Sequence, residues 1–394
     1  MNTEIVMDDA EDDADTPLSD PKQDPEEFFA KNAFRIIYQT NNFFLPQLKD
    51  LIDKGEVLNL RPEYQRRLRW SSSQKSRLVE SLLLNIPVPP VFLYENDAAR
   101  YEVMDGQQRL NAVREFIAGD FALTGLSVLS PLNGLRYSRC PPRIKRSLDR
   151  ASLSAIVLLL ESETEKTHGS LTITDIRRFI FDRLNTGGTK LNSQEIRNSV
   201  HAGYFKKVIL QLTRFELFTK VFDIPPYTES DPNDYYENPE RQRNILYSTM
   251  GDCQLILRYF ALREDENIRG SMKLMLDRAM AKSVSDEDGA ALQQEFIERF
   301  TFLYLLFDEN PFVLPADDRK RKRVSAAIYD ASMVAINDLW NSRDAIKADK
   351  LFVQKRFGDA LNDATNFLVL TGYGNTAKAV KERIALMRNI LKPG

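Results

Sequence analysis

The chain has 394 residues, of which 43% are hydrophobic and 28% charged, a balance typical of a globular protein of one to three domains. This balance excludes a wholly disordered, collagen-like or coiled-coil chain. Cys140, Cys253, His168 and His201 are too few for a disulfide framework or a multi-histidine metal centre. The N-terminus lacks the basic and apolar regions of a secretory signal, and no apolar run approaches ~20 residues. We therefore expect a cytoplasmic protein that does not enter a membrane.

The net charge of −3 is unevenly distributed along the chain. Residues 1–27 contain eleven acidic residues and one lysine, a net charge of −10, so the rest of the chain carries +7. Because this segment can bury little apolar surface, we predict that residues 1–27 form a disordered acidic tail. We favour the interpretation that the tail keeps the protein soluble. In the alternative, it mimics nucleic acid and covers a basic surface of the body.

The next part of the chain alternates predicted strands with predicted helices. In chain order, the predicted elements are a helix over 26–33, a strand over 34–39, a helix over 42–55, a strand over 57–60, a helix over 72–84, strands over 91–94 and 100–104, a helix over 107–117 and a strand over 154–160. Ser72 or Ser73 can supply the N-cap of the third helix. This alternation predicts a compact α/β domain over residues 28–170.

From residue 171 onward, the spacing of apolar residues is mostly helical. The longest predicted helices cover residues 242–262, 268–282, 289–307, 321–341, 349–364 and 375–391. The predicted fold class is therefore α+β, in which the α/β domain is followed by an all-α domain over residues 171–394.

The sharpest motif is Asp105-Gly106-Gln107-Gln108-Arg109, at the junction of a predicted strand and a predicted helix. The N-terminus of a helix presents unpaired amides and a partial positive charge, so phosphate binds there readily. Gly106 would allow close approach of a ligand, Arg109 would grip phosphate oxygens, and Asp105 would hold magnesium or orient Arg109. The alternative is an ordinary helix start with Asp105 as N-cap, and the spacing alone favours it.

Two further polar segments are candidates for the same ligand. Segment 64–70 interleaves basic and aromatic residues, which suits base stacking and phosphate contact, and segment 185–191 is a glycine loop between predicted helices. The residues expected to bind a ligand are Tyr64, Gln65, Arg66, Asn185, Gly187 and Gly188. A surface loop with its aromatic residues anchored in the core explains the first segment, and a glycine C-cap explains the second.

Two basic runs, residues 136–150 and 319–323, are candidates for contact with nucleic acid. The side chains expected to make this contact are Arg143, Lys145, Arg146, Arg321 and Lys322. Such charges neutralise phosphates and carry no information about base sequence. A solvated helix face explains each run at least as well.

Together and in this order, the motifs resemble the N-terminal domain family of the GmrSD-type modification-dependent restriction endonucleases, which looks related to the ParB/sulfiredoxin-like fold. The resemblance covers residues 42–200 and rests on segment 64–70, Ile86-Pro87, residues 105–109 and residues 184–198. It implies that a nucleoside triphosphate is bound, and often hydrolysed, at residues 105–109, coupled to DNA sensing in phage defence. The restriction enzymes append a His-Asn-His nuclease domain, whereas this chain has no histidine after residue 201. This departure from the family pattern argues against DNA cutting by such a domain, and we expect a stand-alone sensor or NTPase that works with a separately encoded nuclease.

We favour an NTPase that senses DNA. In this hypothesis Arg109 binds the phosphates, Asp105 binds magnesium or a water molecule, and Gln107 or Gln108 orients the attacking water. The expected cofactors are Mg²⁺, with Asp105 and Glu195 as ligands, and a nucleoside triphosphate. The expected partners are DNA and the separate nuclease, without a membrane.

Two other functions stay open at this point. One is a non-catalytic switch that binds nucleotide or DNA and acts through the nuclease. The other is a metal-dependent DNA nuclease. Its candidate metal ligands are Glu80, Glu102, Asp105 and Glu195.

Overall fold

The chain forms two compact units, which we call the sheet unit (Pro17–Val200) and the helical unit (Met1–Thr16 with His201–Gly394). The computed structural model describes residues 4–6, 26, 37–55, 57–60, 70–97, 100–159, 180, 183, 193, 194, 197, 204–227, 238–315, 322–371 and 374–393. The domain boundary predicted at residues 170 and 171 lies outside these ranges. None of the helices described is long and apolar enough to cross a lipid bilayer.

The first strand, β1 (Glu4–Val6), belongs to the helical unit. The sheet unit contains, in chain order, β2 (Ile37–Phe44), α1 (Leu45–Lys54), β3 (Leu58–Asn59), α2 (Ser72–Leu83), β4 (Val91–Asp97), β5 (Arg100–Asp105), α3 (Gln107–Ala118), α4 (Pro142–Arg150) and β6 (Ser152–Leu159).

The five strands of the sheet unit form one mixed sheet in the order β2-β6-β4-β5-β3. β6 pairs with β2 in antiparallel and with β4 in parallel orientation, and β4 and β5 are antiparallel. Leu153, Ala155 and Val157 alternate along β6 and are buried, as the two-residue period of a strand requires. Helices α1 and α2 both pack against α3.

Several predicted boundaries in the sheet unit are wrong, among them the end of the strand predicted over 34–39, which extends to Phe44. The helix predicted from residue 42 begins at residue 45, because Phe43 and Phe44 continue β2 and pair with β6, while Pro46 suits the first turn of α1. The N-cap of α2 is Ser71 and neither Ser72 nor Ser73. Gln74 lies three residues after Ser71, and the two form a reciprocal capping box.

The helical unit is built almost entirely of helices around one apolar core. Its helices and last strand are α5 (Tyr204–Leu212), α6 (Glu216–Val221), α7 (Pro239–Arg243), α8 (Ile245–Ser248), α9 (Gly251–Leu262), α10 (Met272–Met280), α11 (Asp286–Leu306), β7 (Arg323–Ser325), α12 (Ala326–Asp338), α13 (Arg343–Ala348), α14 (Lys350–Asn362), α15 (Ala364–Thr371) and α16 (Ala377–Leu391). The chain thus contains one unit of strands and helices and one unit that is mostly helical. This organisation confirms the predicted α+β class.

Strand β1 pairs in parallel with β7, although the sequence predicts no structure for residues 1–27. The apolar pair Ile5 and Val6 accounts for this difference, since β-branched residues favour strands even within an acidic segment. The single helix predicted over residues 242–262 is divided into α7, α8 and α9. The divisions lie at Asn244, which caps α8, and at Met250, which has a left-handed backbone with φ of +57°.

Candidate functional site

The turn between β5 and α3 carries the sharpest sequence motif. Asp105 ends the strand, and Gly106 is the N-cap of the helix, with φ of +97°. The alternative in which Asp105 caps the helix is therefore wrong. A β-carbon on Gly106 would lie 2.4 Å from Cγ1 of Val91, so the glycine is required by the backbone conformation and by the packing of β4.

Arg109 points from the first turn of α3 back to the end of β5. Its Nη2 atom donates to Oδ2 of Asp105 at 2.5 Å and to the carbonyl oxygen of Pro90 at 3.3 Å. Its Nε atom is buried and makes no hydrogen bond with the described part of the chain. Of the two roles predicted for Asp105, the orientation of Arg109 is therefore visible in the structure.

Gln107 and Gln108 form side-chain hydrogen bonds with Leu60 and Trp70. The side-chain nitrogen of Gln107 donates to the carbonyl oxygen of Leu60 at 2.8 Å, and Oε1 of Gln108 accepts from the backbone amide of Trp70 at 3.0 Å. Leu60 and Trp70, which flank positions 61–69 in the sequence, therefore lie beside the Asp105–Arg109 turn. Seven of the residues predicted to bind the nucleotide or magnesium, three of them between residues 61 and 69, lie outside the described ranges. These residues are Tyr64, Gln65, Arg66, Asn185, Gly187, Gly188 and Glu195.

A surface cleft of about 320 Å³ opens beside Arg109. Arg77 and Ser81 of α2 line it together with Arg109 and Trp70. We call this the Arg109 cleft. Its other lining residues are Gln74, Leu78, Pro87, Val88 and Pro89. Two guanidinium groups beside the N-terminus of a helix make the cleft suitable for an anion.

Sequence reasoning missed the contribution of Arg77. The residue lies on the exposed side of α2, where an arginine is ordinary, and no motif surrounds it. Only the packing of α2 beside the β5–α3 turn brings it to Arg109.

Glu80, one candidate metal ligand, has a structural role. Its Oε1 atom accepts hydrogen bonds from the backbone amides of Leu129 at 2.7 Å and Val128 at 2.9 Å. The hydrogen bond from Leu129 contributes most to holding the pKa of the buried Glu80 carboxyl below its ordinary value. The bond from Val128 acts in the same direction, whereas burial raises the pKa. Across the described ranges, no group of three or more acidic, histidine or cysteine residues could hold a metal ion.

We expect Glu80→Gln to lower the free energy of unfolding at neutral pH by about 1 kcal/mol, because a charged acceptor makes the stronger hydrogen bonds. The folded pKa lies below the unfolded value near 4.5. The contribution of Glu80 is therefore complete above the unfolded pKa and is lost as the pH falls through the folded pKa. Urea unfolding of both proteins over this pH range measures the effect. A difference that does not shrink on acidification would contradict the assignment.

The predicted nucleic-acid residues fall in both units. Arg143 and Arg146 are exposed on α4, whereas Nζ of Lys145 lies 4.8 Å from the centre of the Tyr137 ring. Lys322 is half-buried immediately before β7, and burial lowers the pKa of its ammonium group. Arg321 lies outside the described residues.

The sheet unit is thus an α+β domain with a candidate anion-binding cleft at a strand-to-helix turn. Residues 48–202 match the family described as GmrSD restriction endonuclease, N-terminal domain. The resemblance found in the motifs is therefore confirmed. This match supports a restriction- or defence-related function that involves DNA. Neither a curated protein nor a solved structure gave a match to the chain.

Proposed function

We propose that residues 48–202 form a domain that binds and hydrolyses a nucleoside triphosphate and couples this reaction to the sensing of DNA. One observation carries the nucleotide part: Arg109, which Asp105 orients, lines a cleft beside the first turn of α3 together with a second arginine, Arg77. The family supports the part that concerns DNA.

The Arg109 cleft supplies the groups that a nucleotide needs. Arg77 and Arg109 can donate to phosphate oxygens from two directions, and the first amides of α3 add a partial positive charge. Trp70 offers an aromatic ring for a nucleobase. Phosphoryl transfer depends mainly on positioning and charge stabilisation, so Arg109 would stabilise the negative charge. Gln107 or Gln108 would orient the attacking water while its side chain stays bonded to Leu60 or Trp70.

The magnesium ion of this proposal would bind beside Arg109 through few protein ligands. The half-exposed carboxylate of Asp105 shares one oxygen with Arg109, and one carboxylate is enough where phosphates and water complete the shell. When bound, magnesium would neutralise charge on the phosphates. Asp105 is the ligand that we propose among the described residues, and Glu195 is the second ligand predicted from the sequence.

We further propose that the sheet unit has a ParB/sulfiredoxin-like fold. The support for this relationship is a five-stranded mixed sheet that carries a Gly-Arg phosphate motif at the turn from β5 to α3. A separately encoded nuclease would then respond to whether the domain has a nucleotide bound.

The test is phosphate release from the four common nucleoside triphosphates, with and without DNA. We expect Arg109→Ala to reduce turnover by about 100-fold or more, which is the usual effect of removing a group that stabilises transition-state charge. Arg109→Lys keeps the charge but loses the planar fork, so its turnover should be intermediate.

Arg114→Ala is the matched control. Arg114 lies on the same helix, donates from Nε to Asp53 at 2.7 Å and does not line the cleft. Its turnover should equal that of the wild type. Undiminished hydrolysis by Arg109→Ala would overturn the assignment of the site.

One observation favours a second candidate function, the non-catalytic switch. None of the described residues that line the Arg109 cleft is acidic or a histidine, so none of these residues can act as a general base. Saturable nucleotide binding by the wild type without phosphate release would support the switch over the NTPase. Loss of that binding in Arg109→Ala would keep the site at the same turn.

A further inference from the structure

A second cleft of the sheet unit is lined by three arginines of one helix. Arg143, Arg146 and Arg150 of α4 follow one another at helical spacing and line an open cleft of about 420 Å³. Asn85, which follows α2, and Ser147 add polar groups. We call this the arginine cleft. The remaining lining residues are Leu82, Leu83 and Ala151.

The positive charge of this cleft is uncompensated within the described structure. All three arginines are exposed, none of them forms an ion pair with a described residue, and no acidic side chain lines the cleft. The nearest carboxylate in sequence, Asp149, accepts a hydrogen bond from the hydroxyl of Tyr137. Elsewhere in this unit, Arg109 and Arg114 are both paired with aspartates.

The spacing of the arginines suits a polymer of phosphates better than one small anion. From residue 143 to residue 150 the helix rises by about 10 Å. Phosphates along one strand of duplex DNA advance by about 3.4 Å per nucleotide, so the row is long enough to contact more than one of them. Serine and asparagine are also common donors to phosphate oxygens.

We propose that the arginine cleft binds the phosphodiester backbone of duplex DNA. This inference rests on the proposed function, because it supplies the site at which the domain would sense DNA. It adds Arg150 to the residues selected by sequence and removes Lys145, which is engaged with Tyr137.

The arginine cleft and the Arg109 cleft are separate sites that share one helix. Arg77 and Ser81 of α2 line the Arg109 cleft, and Leu82 and Leu83, which end the same helix, line the arginine cleft. DNA and nucleotide would therefore bind at the same time on either side of α2. Consequently, the two binding activities should be separable by mutation.

The test measures the binding of a short fluorescent DNA duplex by anisotropy over a range of salt concentrations. The variant Arg143→Gln/Arg146→Gln/Arg150→Gln removes three charges. We expect its affinity at low salt to fall by roughly 100-fold and the slope of log K against log salt to decrease by about 2.7.

The control variant Arg243→Gln/Lys347→Gln/Lys355→Gln removes three exposed charges from the helical unit and should bind DNA as the wild type does. A cleft variant with unchanged affinity and slope would overturn the inference. Equal binding of polyglutamate, lost in the same variant, would also overturn it, in favour of an acidic protein partner.

Nucleotide binding separates this inference from the proposed function. The cleft variant should bind nucleoside triphosphate normally, whereas Arg109→Ala should bind duplex DNA normally. Wild-type protein that binds nucleotide but no DNA would refute the arginine cleft and leave the nucleotide site intact. Wild-type protein that binds DNA through the cleft but no nucleotide would refute only the nucleotide site.

Discussion

Gly106→Ala is expected to lower the free energy of unfolding of the sheet unit by about 2–4 kcal/mol. At φ of +97° a β-carbon is strained by the backbone alone. In addition, this carbon would lie 2.4 Å from Cγ1 of Val91, which is fully buried on a central strand. The turn or Val91 must move, and because the turn carries Arg109, nucleotide binding should weaken as well.

Gly119→Ala is the matched control at the other end of α3. Gly119 also has a positive φ, +85°, but a β-carbon there would meet no atom within 4 Å. Its effect should be limited to strain, about 1–2 kcal/mol. Chemical unfolding can be followed by the fluorescence of Trp70 in a Trp340→Phe background, since the chain has two tryptophans. Equal losses for the two alanine variants would contradict the clash with Val91.

The elements of the sheet unit were largely predictable because local signals agree there. Alternating apolar residues and an Asp-Gly turn place β5 and α3 within one residue of their bounds. In contrast, the extension of β2 through Phe44 depends on its pairing with β6, 108 residues further along the chain at Ser152. The spacing of apolar residues carries no information about a strand partner so far along the chain. The predicted helix therefore begins three residues too early.

The candidate site was predictable in position but incompletely in composition. The motif at residues 105–109 identified the turn, and the structure then distinguished between two roles for Asp105 through its contact with Arg109. Arg77 gave no signal, because its proximity to Arg109 follows from helix packing alone. Arg150 belonged to a basic run, and only the cleft shows which members of that run face the same way.

Asp330→Ala is expected to lower the free energy of unfolding of the helical unit by about 3–5 kcal/mol. Oδ2 of Asp330 accepts from Nε of Arg258 at 2.9 Å and from Nη2 at 2.5 Å, and both side chains are almost completely buried. Removal of the carboxylate would take away the charged acceptor of a buried guanidinium, and the neutral Asn375 acceptor at 3.3 Å does not replace its charge. Removal of one partner from a buried ion pair is far more costly than the loss of one neutral hydrogen bond.

The size of this effect should depend on the charge that is left behind. Arg258→Leu/Asp330→Leu removes both charges and should be more stable than Asp330→Ala. Lys220→Ala breaks an exposed pair with Glu309 and should leave the free energy of unfolding nearly unchanged. Unfolding followed by Trp340 fluorescence in a Trp70→Phe background measures all three variants. If the double variant were the least stable, the contribution of these side chains would come from packing and hydrogen bonding, and the argument from buried charge would be wrong.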